Sequence, residues 1–158
     1  PNRKKNKIKK SNTASLNTNQ NGNESKKKPE RQLNDIDSKK LGREGEIYII
    51  NTLRKKHPDA DIEDCNSNKD QEGYDIKLNQ NGSVEFIEVK VTNDNKVRIT
   101  DAQWHKAKIA KSKYTIYVVR YSKNKNKYTW GDISKLENPY QMWKDGVIKA
   151  RPLEITFT

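Results

Sequence analysis

Two apolar runs separated by a short reversing segment constrain the fold of this chain more than any other feature. The runs cover residues 73–78 and 84–91, and both are rich in the β-branched and aromatic residues that favour strands. The residues between them, 79–83, include an Asn-Gly pair, which tolerates positive φ and favours a reversing turn. The sequence therefore predicts an antiparallel hairpin over residues 73–91.

Three charged side chains interrupt this hairpin. Because side chains alternate along a strand, Glu88 and Lys90 lie on one face of the second strand, and the apolar residues between them point the other way. Asp75 lies on the paired strand, where a modest register brings its carboxylate near Glu88. Two hard oxygen donors suit Mg²⁺ or Mn²⁺, and an adjacent lysine can hold an attacking water or a phosphate. The alternative interpretation is a solvated strand face with a cross-strand ion pair.

A helical spacing of apolar residues runs from 39 to 56 and ends before Pro58. Glu46 falls on the apolar face of this helix, together with Ile49 and Leu53. A carboxylate buried without a partner costs several kcal/mol, so Glu46 is expected to reach a cation, a metal or a lysine at the edge of the core.

The rest of the chain indicates a mixed α/β or α+β domain with a central sheet and flanking helices. A buried strand at 114–121 is expected in the middle of the sheet, because its apolar run is typical of a strand covered on both faces. The other predicted elements are a strand at 60–65, a polar loop at 66–72, a helix capped by Thr100 and Asp101, a strand at 128–133, a short helix at 139–145 and a terminal strand at 153–157.

The N-terminal residues 1–37 form a Lys- and Asn-rich segment that cannot bury enough apolar surface to fold. We predict a disordered tail or linker there and a folded domain over 38–158. Residues 1–40 carry 12 of the 33 Lys and Arg residues and 4 of the 21 acids. This positive charge favours a polyanion such as nucleic acid, with a plain solvated linker as the alternative. A first residue of Pro1 rather than Met is compatible with a processed product and with a piece of a longer protein, in which the tail would be an interdomain linker.

Cysteine content and hydropathy exclude two classes of protein. Cys65 is the only cysteine, which rules out an intramolecular disulfide or a cysteine-built zinc site and predicts a cytoplasmic protein. No apolar run approaches the roughly 18 residues that a membrane span needs, so no membrane role is predicted.

Five short motifs follow one another along residues 40–121. They are Gly-x-x-Gly-Glu at 42–46, Gly-Tyr-Asp-Ile at 73–76, Ile-Glu-Val-Lys at 87–90, Ile-Thr-x-x-Gln-Trp at 99–104 and Tyr-x-Ile-Tyr-Val-Val at 114–119. In this order they resemble the domain at the C-terminus of protein NO VEIN, a family similar to the PD-(D/E)xK nucleases. The resemblance implies a restriction-endonuclease-like core, in which a central mixed β-sheet is flanked by helices.

The resemblance also implies roles for single residues. Asp75, Glu88 and Val89 would bind the metal. Lys90 would assist the attacking water, and Glu46 would support the metal or its waters. 

Two further positions, Gln103 and Tyr74, can be set against the motifs of these nucleases. Gln103 matches the glutamine that follows the Glu-x-Lys strand in Mrr-like nucleases. The chain departs from the pattern at Tyr74, which stands where many of these nucleases have proline.

From these residues we expect an endonuclease that depends on Mg²⁺ or Mn²⁺ and hydrolyses DNA, in the context of bacterial restriction or defence. The family suggests a helicase or ATPase partner domain, and cutting both strands of a duplex would favour a homodimer. One alternative is a nucleic-acid-binding or adaptor module without turnover. Another is a structural domain that binds neither metal nor DNA.

Overall fold

The computed structural model describes residues 35–66, 72–124 and 127–150. Within them are helices α1 (Asp35–Lys56), α2 (Asp101–Ala110) and α3 (Pro139–Lys144), and a 3-10 turn at Lys111–Lys113. The strands are β1 (Asp61–Asp64), β2 (Ile76–Gln80), β3 (Ser83–Thr92), β4 (Tyr114–Asn124) and β5 (Lys127–Glu137). The order of the elements confirms a mixed α/β domain.

The five strands form one sheet in the order β1-β2-β3-β4-β5. All neighbours are antiparallel except β3 and β4, which are parallel. Helix α2 lies in the connection between these two strands, as parallel neighbours require a crossover. The sheet is therefore mixed, as the sequence predicted.

The predicted hairpin is confirmed, with a tighter turn than expected. Strands β2 and β3 pair from Ile76 opposite Ile87 to Gln80 opposite Ser83. Only Asn81 and Gly82 form the loop, and both have positive φ, 52° and 76°. Two-residue loops of this conformation match the twist of the flanking strands, which fixes the register that brings the charged residues together.

Some predicted boundaries differ from the structure. Helix α1 begins at Asp35, so the predicted tail of residues 1–37 extends three residues into a helix. Strand β5 is longer than the predicted 128–133. Strand β4 has a partner on each side, but the middle strand of the sheet is β3. The predicted strand at 153–157 and the tail before residue 35 lie outside the described residues.

Apolar clusters cover both faces of the sheet. The cluster on one face lies between the sheet and α1, and it contains Ile49 and Leu53 of the helix and Ile87 of β3. The cluster on the other face lies between the sheet and helices α2 and α3, and it contains Tyr114 of β4 and Ala107 of α2. Because β4 contributes alternate side chains to both clusters, its apolar run is explained by burial on two faces. Within the described part of the chain, no helix is long and apolar enough to cross a membrane.

Candidate active site

An open cleft of about 960 Å³ lies between the first half of α1, the end of β3 and the start of α2. Every site residue predicted from the sequence lines this cleft, although they come from four separate segments of the chain. They are Glu46, Asp75, Glu88, Val89, Lys90 and Gln103. The structure therefore brings the whole predicted set to one place.

The hairpin register places Asp75 beside Glu88. The backbone N–H of Asp75 donates to the carbonyl oxygen of Ile87 at 2.9 Å, which holds the residue before β2 against β3. The Asp75 Oδ2 atom accepts from the backbone N–H of Val89 at 2.8 Å. Both carboxylates are buried, with 4% of Asp75 and 2% of Glu88 exposed. Two carboxyl groups are thus held close together away from bulk water.

One oxygen of Glu88 is well satisfied and the other is not. Its Oε1 atom lies 2.8 Å from Lys90 Nζ and accepts from Gln103 Nε2 at 2.6 Å. Its Oε2 atom is buried and, while both carboxyl groups are ionised, has no hydrogen-bond donor among the described residues. Buried carboxylate oxygens without a donor are rare in folded proteins because of their desolvation cost.

The surroundings of Glu88 favour its neutral form. Burial raises the pKa of this carboxyl group to about 7, and the charge of Asp75 contributes to the increase, while Lys90 opposes it. The two carboxyls can hydrogen-bond to one another only when one of them holds a proton, which also raises the pKa of Glu88. Lys90 therefore offsets only part of the negative charge of the pair.

Gln103 connects the start of α2 to the charged residues of β3. Its Oε1 atom accepts from the backbone N–H of Thr100 at 2.9 Å and from Lys90 Nζ at 3.1 Å. The Thr100 hydroxyl accepts in turn from the backbone N–H of Gln103, which completes a capping box at the helix start. A single amide therefore caps α2, holds the lysine through its oxygen and donates to Glu88 through its nitrogen.

Glu46 finds its partner on its own helix. Although Glu46 is only 5% exposed, its Oε2 atom accepts from Arg43 Nη1 at 2.8 Å. The Arg43 guanidinium also donates to both oxygens of Asp64, at 3.0 Å and 2.5 Å. The pKa of Arg43 is raised by its hydrogen bond to Asp64, which has the larger effect, and by its hydrogen bond to Glu46. The guanidinium therefore stays protonated between the two carboxylates.

Sequence reasoning missed Arg43 and Asp64. The spacing of Arg43 and Glu46, three residues apart on a helix, is a signal that identifies such pairs. Nothing local identifies Asp64, which lies 21 positions away at the end of β1 and meets Arg43 only in the folded domain.

Two glycines of the sequence motifs allow close packing around the cleft. A Cβ atom on Gly45 would lie 2.2 Å from Cγ2 of Val91, so only glycine lets α1 approach β3 this closely. Gly73 has a φ of +74°, and a Cβ there would lie 2.6 Å from the carbonyl oxygen of Ala102. The buried Tyr114 hydroxyl donates to the Gly73 carbonyl at 2.8 Å, which fixes the chain just before Asp75.

The donor set fits a small divalent cation. No cluster of three His, Cys, Asp or Glu side chains arranged for a metal occurs among the described residues. Asp75 and Glu88 form a buried pair of hard oxygen donors, and the unpartnered Oε2 of Glu88 is where a cation would relieve the cost of burial. Val89 lines the same cleft, but its side chain is apolar, so only its main-chain oxygen could be a ligand.

Comparison of the chain with curated proteins and with solved structures finds no match. The family model described as protein NO VEIN, C-terminal, matches residues 45–130, a span that contains all six predicted site residues and the second glycine of the first motif. Arg43 and the first glycine of that motif, Gly42, lie just before this span. The chain belongs to the family of the protein NO VEIN C-terminal domain.

Proposed function

We propose that this domain is a metal-dependent nuclease of the restriction-endonuclease-like type that hydrolyses phosphodiester bonds in DNA. The observation that carries the proposal is the buried Asp75–Glu88 pair with Lys90 at its side and one carboxylate oxygen left without a partner. Two adjacent buried carboxylates that share a single lysine destabilise the domain unless a metal ion also neutralises them. Their presence is explained if the site binds Mg²⁺ or Mn²⁺.

Bound at the two carboxylates, the cation would lower the pKa of a water and neutralise charge on the phosphodiester. The residues of the chain supply orientation. Lys90 is anchored between Glu88 and Gln103, so its ammonium group is held at a fixed point of the cleft. From there it can donate to the attacking water or to a phosphate oxygen as negative charge develops.

The sequence charge supports a nucleic-acid substrate. The net charge of +12 favours polyanions through counterion release. The same charge would also serve a binding module without turnover, and the experiment must therefore measure cleavage and binding separately.

The test is cleavage of supercoiled plasmid, linear duplex, single-stranded DNA and RNA with Mg²⁺, with Mn²⁺ and with EDTA. The variants are Asp75→Asn and Lys90→Ala. Lys77→Ala is the matched control, because Lys77 lies on the same hairpin in an exposed ion pair with Glu63 at 3.4 Å. We expect metal-dependent cutting by the wild type and by Lys77→Ala, and a loss of about a hundredfold or more in the two site variants.

DNA affinity measured by gel shift in EDTA separates the two functions. Equal binding by all four proteins, with cutting lost only in the site variants, supports the nuclease. Cutting that survives in Asp75→Asn would contradict it, and so would binding without any cutting by the wild type, which would favour the binding module.

A further inference from the structure

Arg43 is a cation at the wall of the cleft that the proposed chemistry does not use. Its guanidinium bridges two elements, because it donates to Glu46 within α1 and to Asp64 at the end of β1. Both nitrogens are engaged with Asp64, and one of them is shared with Glu46. An arginine held in this forked geometry has a defined orientation, which a single helical ion pair does not provide.

Asp64, which binds Arg43, is itself held in place. Asp64 Oδ1 also accepts from the backbone N–H of Asn66 at 3.2 Å, and Asp64 pairs with Ile76 across the β1–β2 ladder. The carboxylate that orients Arg43 is therefore fixed by the strand next to Asp75. The cleft is lined by Arg43, Glu46 and Asn66. The hydrogen-bonded group formed by Arg43, Glu46 and Asp64 therefore lies at the wall of the cleft.

We propose that Arg43 is a positioning residue that holds the Glu46 carboxylate at the wall of the cleft, with Asp64 as its anchor. This inference rests on the proposed function, in which Glu46 supports the cation or its waters. Through Arg43 the end of β1 sets the orientation of a side chain on α1. Removing the anchor leaves Glu46 paired with an arginine whose orientation is no longer fixed by β1.

Lysine cannot replace arginine in this arrangement. Its ammonium group is a single point of charge and cannot span two carboxylates as a planar fork does. Asp64→Asn keeps the size of the side chain but removes its charge and one of the two acceptor oxygens. Glu63→Gln is the matched control, because Glu63 precedes Asp64 on β1, is exposed and pairs only with Lys77 among the ion pairs described.

The first measurement reads Glu46 directly and needs neither metal nor DNA. In protein labelled with ¹³C at the glutamate carboxyls, Glu46→Gln identifies the Glu46 resonance by its loss. We expect Asp64→Asn and Arg43→Lys to shift or broaden this resonance and Glu63→Gln to leave it unchanged. An unchanged Glu46 resonance in Asp64→Asn would overturn the proposal.

The second measurement separates positioning from a purely structural tether. We expect Asp64→Asn and Arg43→Lys to weaken Mn²⁺ binding by about tenfold, as loss of a residue that orients a ligand typically does, and to lower kcat with KM for DNA nearly unchanged. In the Glu46→Gln background the same substitutions should have no further effect. Additive losses would contradict an action through Glu46.

The two proposals fail in different ways. If Asp64→Asn disturbs the Glu46 resonance but the wild type neither binds Mn²⁺ nor cuts DNA, the positioning role stands and the nuclease function is wrong. If the wild type binds Mn²⁺ and cuts DNA but Asp64→Asn behaves like Glu63→Gln in every measurement, the nuclease stands and the role of Arg43 is wrong.

Discussion

At the scale of single residues, the protonation of Glu88 links the site to the stability of the domain. The folded state raises the pKa of this carboxyl from 4.5 to about 7, so it holds the proton more tightly than the unfolded chain does. A group of this kind stabilises the fold at pH values below about 4.5 and loses that contribution as the pH rises to about 7. At pH 8 an ionised Glu88 opposes folding.

Glu88→Gln is therefore expected to stabilise the metal-free domain at pH 8, by about 1–3 kcal/mol, because it removes a buried charge next to Asp75. At pH 5, where the carboxyl is already neutral, the gain should be small or reversed. Urea unfolding in EDTA at the two pH values measures the difference. A variant that is less stable than the wild type at pH 8 would show that the Lys90 and Gln103 contacts outweigh the desolvation of the charge.

The pH dependence of metal affinity should follow the protonation of Glu88. Because a cation must displace the proton from Glu88, Mn²⁺ binding is expected to strengthen by up to about tenfold per pH unit below pH 7 and to level off above it. Calorimetric titration with Mn²⁺ between pH 5.5 and pH 8.5 gives this profile. Affinity that is independent of pH would mean that Glu88 is not a ligand.

At the scale of elements, two glycines on α1 should respond to the same substitution in opposite ways. A Cβ atom on Gly42 would meet nothing within 4 Å, so Gly42→Ala gains helix propensity and should stabilise the domain by about 0.5–1 kcal/mol. A Cβ atom on Gly45 would overlap Val91, so Gly45→Ala should destabilise it by about 1–3 kcal/mol.

Thermal and urea unfolding of the two variants test this contrast. Val91→Ala in the Gly45→Ala background removes the overlapping methyl groups and should restore part of the loss. Equal effects of the two alanines would show that α1 is free to move away from β3.

The elements that the sequence predicted well are those determined by local chemistry. The Asn-Gly turn and the alternation of side chains around Glu88 are properties of short segments, and they were enough to bring Asp75 to Glu88. The unpartnered Glu88 oxygen and the anchoring of Arg43 by Asp64 depend on the docking of separate elements. Such features have no local signature, because they arise only when separate elements meet in the folded domain.

At the scale of the whole molecule, most of the net positive charge belongs to residues 1–34. Residues 1–34 carry ten Lys and Arg residues and two acids. A chain that starts at residue 35 should keep the fold and the Mn²⁺ affinity. It should bind DNA more weakly at low salt, with a smaller slope of log affinity against log salt concentration.

Fluorescence anisotropy with a labelled duplex at several salt concentrations measures that slope for both chains. An unchanged slope would show that residues 1–34 contribute no phosphate contacts. Loss of Mn²⁺ binding in the shorter chain would show that the segment has a role in the site itself.

The unpartnered oxygen of Glu88 also has a consequence for the descent of the family. In a lineage that no longer required a cation, any substitution that neutralised Asp75 or Glu88 would make the domain more stable and would spread without harm. We therefore expect relatives to keep or lose the two carboxylates and Lys90 together. The inheritance pattern of three side chains would then distinguish members selected for hydrolysis from members that have become scaffolds.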